Sequence, residues 1–163
     1  MKLLSGDDAP LWGPIWIEVG DQAFPEVGWR DYMASMFGSL VSAIGDLSRG
    51  KPNAESYFFN GSFTVRMARK GWRWRDRFSR PRADMPVSFQ MIYDTGESMR
   101  LEISSEASLG EIIEGVYRPA LAALEVMRTN KVLTGPALRI FAKSVETLST
   151  ARMRLQGGNS EAG

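Results

Sequence analysis

The chain has 163 residues, 24% of them charged, with 20 Lys and Arg against 19 Asp and Glu for a formal net charge of +1. It contains neither cysteine nor histidine, which excludes disulfides and Ser-His or Cys-His nucleophile pairs, and removes most ligands of zinc, copper or haem sites. A metal site would have to be built from oxygen alone, and an enzyme from Asp, Glu, Lys, Arg, Tyr, Ser or Thr.

No apolar run reaches the roughly 18 residues a bilayer-spanning helix needs. The start, Met1-Lys2-Leu3-Leu4-Ser5-Gly6-Asp7-Asp8, turns acidic at once and no apolar stretch of secretory length follows. These features predict a cytoplasmic protein with no membrane contact. Length predicts a single domain over residues 1–155, with residues 156–163 a small, polar, flexible tail.

In chain order, residues 12–19 read as a first strand, broken at its start by Gly13-Pro14 and ended by Gly20-Asp21. Phe24-Pro25 leads into a helix predicted over about 29–49. There Trp29, Tyr32, Met33, Met36, Phe37, Leu40, Val41, Ile44 and Leu47 recur at i, i+3, i+4 and i+7. Gly50 stands where a left-handed cap belongs, and Pro52 prevents continuation. Gly38 and Gly45, one position off the apolar stripe, allow close contact at its edge.

Residues 55–104 alternate apolar and polar side chains, with Asn60-Gly61, Lys70-Gly71 and Asp94-Thr95-Gly96 between the runs, which predicts a meander of antiparallel strands. With Asn60-Gly61 as a two-residue type I′ turn, Phe59 pairs with Ser62, Phe58 with Phe63 and Tyr57 with Thr64. Phe58, Phe63, Val65 and Met67 then face the core, while Tyr57, Phe59, Thr64 and Arg66 share the other face. Residues 72–78 read as the next strand, with Trp72 and Trp74 inward and Arg73, Arg75 and Arg77 outward. Val87, Phe89, Met91 and Tyr93 form an inward set. So do Met99, Leu101 and Ile103, with Arg100 and Glu102 outward.

Ser108-Leu109-Gly110-Glu111 is a capping-box pattern opening a helix to about Met127. Pro119 inside it predicts a kink rather than a break, because the residue four back is Gly115. Thr134-Gly135-Pro136 opens a last helix through Leu138, Phe141, Ala142, Val145, Leu148 and Leu155. The predicted fold is therefore α+β: an antiparallel five- or six-stranded meander packed by a long N-terminal amphipathic helix and two C-terminal helices.

Charge is divided unevenly. Residues 1–50 carry seven acids and three bases, whereas residues 66–82 carry eight bases against Asp76 alone. The candidate binding group is Tyr57, Phe59, Arg66, Arg73, Arg75 and Arg77, since arginine and aromatic rings together are what interfaces enrich. The bland alternative is a solvated strand face whose long side chains cover the rings. Single-stranded nucleic acid is a further reading of a basic, ring-bearing face, although no RRM, KH or zinc-knuckle motif is present. Asp76 could be a perturbed acid on the tryptophan side, or simply a strand-end or ion-paired carboxylate. Glu111 and Glu114 could share acid-base work, yet acids in a first helical turn are expected from the dipole alone. No phosphate loop occurs, and no catalytic, cofactor-binding or metal-ligating residue is assigned.

The order of a strand, Phe24-Pro25, three residues, Trp29-Arg30-Asp31, a long amphipathic helix, then Phe58-Phe59-Asn60-Gly61 opening a hairpin, resembles the immunity proteins of contact-dependent and other polymorphic bacterial toxin systems. The resemblance covers roughly residues 12–75. It implies a cytoplasmic, non-catalytic protein that neutralises a cognate toxin by occupying its active site or another surface. Immunity proteins to nucleases are often acidic, so a basic face would suit a toxin with an acidic surface.

Overall fold

In the computed structural model, which describes residues 12–129 and 135–157, the alternating region forms an antiparallel sheet. Its strands are β5 (Asn53–Tyr57), β6 (Phe63–Arg69), β7 (Pro86–Asp94) and β8 (Met99–Ser108), in that order across the sheet. Among the described residues three helices complete an α+β fold: α1 (Met33–Ser48), α2 (Leu109–Thr129) and α3 (Pro136–Gly157).

The meander has four strands, not five or six. Residues 72–78 are not a strand: Trp74–Phe78 is one turn of 3-10 helix, within a connection that leaves β6 after Lys70 donates to the Pro86 carbonyl. Asp76 is the reason this run turns, since its carboxylate accepts from the Arg73 amide at 2.7 Å while its own amide donates back to the Arg73 carbonyl at 2.7 Å. Local side-chain capping outcompetes the alternation. The first strand is also corrected. It divides into β1 (Trp12–Pro14) and β2 (Ile17–Val19), which pair with β4 (Arg30–Tyr32) and β3 (Gln22–Phe24) respectively in two small sheets. The start at residues 1–8 and the end of the tail at 158–163 lie outside the described residues.

The helix predicted from residue 29 begins at Met33, because Arg30–Tyr32 is taken by pairing with β1. Its end agrees with the expectation. Gly50 has φ +98°, its amide donates to Leu47 and the Lys51 amide donates to Asp46, the two bonds of a Schellman cap. Ser108 and Glu111 form the reciprocal capping box at the start of α2, and α2 runs through Pro119 without a break.

The predicted hairpin register holds where β5 meets β6. Tyr57 opposes Thr64 and the Phe58 amide donates to the Phe63 carbonyl. The two-residue turn does not form. Phe59 and Asn60 turn their amides away from the hairpin toward Asp31, for reasons taken up below.

Alternation puts Ala54, Ser56, Phe58, Val65, Met67, Val87, Met91 and Ile103 on one face, where they are buried with α1 residues Met36, Leu40, Ile44 and Leu47. Small side chains at 54 and 56 let α1 come close to β5, and the Ser39 hydroxyl of α1 accepts the outward Tyr57 amide at 3.1 Å, which closes that sheet edge. The C-terminal helices are arranged differently from the expectation. α1 makes the main helix contact with the sheet and α2 touches β8; α3 packs on α1, with Phe37 stacked on Phe141 at 4.5 Å, and α2 packs on α3. Among the described residues no helix crosses the opposite sheet face.

Parity fails once. Met91 opposes Ile103 but Ile92 opposes Leu101, so Glu102 is an extra residue, a β-bulge in β8. Beyond it every side chain of β8 changes face. Met99 and Leu101, predicted inward, are exposed at 62% and 53%, and Arg100 lies over the Tyr93 ring at 5.7 Å.

Candidate protein-docking face

The open sheet face and its two ends account for every predicted site residue, but do not bring all of them together. Tyr57 on β5 and Arg66 on β6 are close partners on the open face. Glu55 joins them: its carboxylate accepts from the Tyr57 hydroxyl at 2.8 Å and from the Arg66 Nε at 2.7 Å. The Arg66 guanidinium, and secondarily the Tyr57 hydroxyl, hold the Glu55 carboxyl below its ordinary range, while Glu55 raises the Tyr57 phenol.

Phe59 lies at one end of this face, exposed in the β5–β6 connection. Arg73 and Arg75 lie at the other end, exposed on the 3-10 segment. Arg77 belongs to the same turn, and the structure describes only its backbone. Trp72 is half-buried as predicted, with its indole nitrogen buried and unbonded among the described residues, but Trp74 is 67% exposed. The arginine fan expected beside Arg66 is thus separated from it by the end of β6.

The face itself presents Tyr57, Met99 and Leu101 among matched charges, with Ile92 buried between them in the sheet. Arg66 meets Glu55, and Lys70 meets Glu106 at 2.5 Å. Met99 and Leu101 were missed as surface residues because nothing in the alternation marks a bulge. A third residue missed is Asp31, a fully buried carboxylate at 0% exposure. It accepts the Phe59 amide at 2.8 Å, the Asn60 amide at 3.1 Å and its neighbour Tyr32's at 2.6 Å, and the Asn60 side-chain amide donates to the Arg30 carbonyl at 2.8 Å. Trp29-Arg30-Asp31 and Phe58-Phe59-Asn60-Gly61, separated by all of α1, are therefore fastened to each other.

Three further acids have structural partners. Asp76 caps the 3-10 turn, Glu111 is held low by the Ser108 amide and hydroxyl, and Glu114 is held low by Arg152 of α3 and by Arg118. Open hollows are found at two places among the described residues. One, of about 350 Å³ between the β5–β6 and β7–β8 turns, has Asp94 as its acid; the other, of about 600 Å³ between α2 and α3, has Glu146. Neither includes Asp76. Among the described residues no three acids cluster as a metal site, and no helix is long and apolar enough to cross a membrane. In comparisons with known proteins, the chain matches no family model, no curated protein and no solved structure.

Proposed function

We propose that the chain is a non-catalytic, cytoplasmic protein-binding module of the immunity type, which neutralises a cognate bacterial toxin by docking the open face of its four-stranded sheet. The observation that supports this reading is the uncovered apolar group on that face: Tyr57, Met99 and Leu101 are 49%, 62% and 53% exposed. Rings and flexible aliphatic chains framed by charged pairs have the composition of an interface centre and rim. Nucleic acid is the less favoured occupant of this face, because Arg66 and Lys70 each already meet a carboxylate, and phosphate would have to displace it.

The test is co-expression with the toxin domain encoded by the adjacent gene. The expected outcome is growth protection and a complex retained at physiological salt, both lost in Leu101→Arg and Tyr57→Ala proteins whose circular dichroism is unchanged. Absence of protection and of a complex with the parent protein overturns the proposal.

A further inference from the structure

The base-rich connection between β6 and β7 stands apart from the docking face, and we infer that it is a second binding element, a platform for single-stranded nucleic acid. Residues 69–82 carry seven Lys and Arg against Asp76, but the structure sorts these charges by availability. Arg69 donates to the Gly50 carbonyl, Lys70 pairs with Glu106 and Arg82 pairs with Asp84. Arg73, Arg75 and Arg80 are exposed and form no ion pair among the described residues. The lone acid is occupied with the Arg73 amide.

The connection is fixed at both ends. Trp72 is half-buried, and the Asp76 cap sets the 3-10 turn. On the return, the Gly110 amide donates to Ala83 at 2.8 Å and the Leu109 amide to Met85 at 2.9 Å, so the second half is bound to the start of α2. The backbone of the connection is thereby held at both ends. On it Trp74 is 67% exposed, flanked in sequence by Arg73 and Arg75.

An indole that is 67% exposed beside a contact within the chain, flanked by guanidinium groups that form no ion pair among the described residues, has the parts that unpaired nucleic acid engages. A base stacks on the ring, adjacent phosphates take the forked donors, and no base-edge readout is needed. Duplex nucleic acid offers no unstacked base to the ring. A membrane surface would use the same charges, but Trp74 is the one exposed large apolar side chain among the described residues of this connection, too little to anchor in lipid. The inference is independent of the proposed function, since none of these residues lies on the open sheet face.

The experiment titrates the full chain into a fluorescein-labelled oligothymidylate of about 12 nucleotides, following anisotropy and tryptophan emission. Three phosphate contacts give a log-log salt slope of about −2, so raising salt from about 50 to 200 mM weakens binding about 20-fold. Tryptophan emission falls on binding. Trp74→Ala weakens binding about tenfold, and joint Arg73→Gln, Arg75→Gln and Arg80→Gln substitution flattens the salt slope. Leu101→Arg leaves binding unchanged. No binding at the lower salt overturns the inference. So does binding that survives both the Trp74 and arginine variants, binding of a duplex as tight as that of the single strand, or adsorption to phosphatidylserine vesicles without oligonucleotide binding.

Discussion

Asp31 shows how one buried charge is made tolerable and then used. A carboxylate at 0% exposure is costly unless hydrogen bonds replace its water, and here the amides of Tyr32, Phe59 and Asn60 replace it. Asp31→Ala leaves these donors without a partner and should cost about 2–4 kcal/mol, read as a lower urea midpoint at unchanged m. Asp31→Asn keeps the shape but turns an NH2 group toward an amide, so it should also destabilise, and both variants should loosen the Phe59 end of the proposed docking face. The open face has its own residue-scale signature in the Glu55, Tyr57 and Arg66 group. Because the folded Glu55 carboxyl is depressed by Arg66, its contribution is complete above the unfolded carboxylate value and fades as pH falls through the folded one. Because the Tyr57 phenol is raised by Glu55, its contribution is complete below the unfolded phenol value of about 10 and fades as pH rises through the folded one. With no histidine to titrate between, stability should be nearly level from about pH 6 to 9 and decline on both sides. Arg66→Gln should diminish the acid decline. Each side is small, on the order of 0.5 kcal/mol, because all three groups are well exposed; thermal melts across pH in parent and variant give the comparison.

At the scale of elements, what could be read from the sequence was whatever local chemistry decides. The apolar stripe of α1, the Schellman end at Gly50, the capping box at Ser108 and Glu111, and the Tyr57–Thr64 register all stand as expected, because each rests on residues a few positions apart. The failures are where a non-local partner or a single capping side chain overrides a period. Asp31 removes the last hairpin pair, Asp76 bends a run that alternates well enough for a strand, and one extra residue at Glu102 sends Met99 and Leu101 to the opposite face. The candidate site suffered most from this, since it assumed that Arg73, Arg75 and Arg77 shared a strand beside Arg66. Two glycines allow a test of the helix accounts. Gly50→Ala forces a left-handed conformation on a side chain and should cost about 1–2 kcal/mol. Gly115→Ala should instead add about 0.5–1 kcal/mol, since a methyl there meets nothing within 4 Å and the position is exposed in α2. Thermal unfolding should therefore move in opposite directions; a loss on Gly115→Ala would mean that α2 needs the glycine to accommodate Pro119.

For the whole molecule, the two sheet edges differ, and that difference decides where a partner strand could add. At β5 the edge meets α1, where Ser39 accepts the Tyr57 amide. At β8 no other strand pairs among the described residues, although β3 comes near it. Its hydrogen bonds reveal which amides are unpaired: the Leu109 amide donates to Met85 and the Thr95 amide to Ser98. Alternation from these two points, with the register broken between Met91 and Ile92, directs Arg100, Ile103, Ser105 and Ala107 toward β7. Met99, Leu101, Ser104 and Glu106 face outward. The bulge and the charges at Arg100, Glu102 and Glu106 are what edge strands use to resist unwanted pairing, so the isolated chain should leave this edge bare. Amide exchange should show it directly. The inward amides of β8 should be protected with those of the central strands β6 and β7, the outward set should exchange early, and the three-residue pairs β1–β4 and β2–β3 should open before the main sheet. The alternation should skip one position at Glu102. If Met99, Leu101, Ser104 and Glu106 instead exchange as slowly as Ile103, a second chain pairs along β8, and the docking face continues across that edge into a larger sheet.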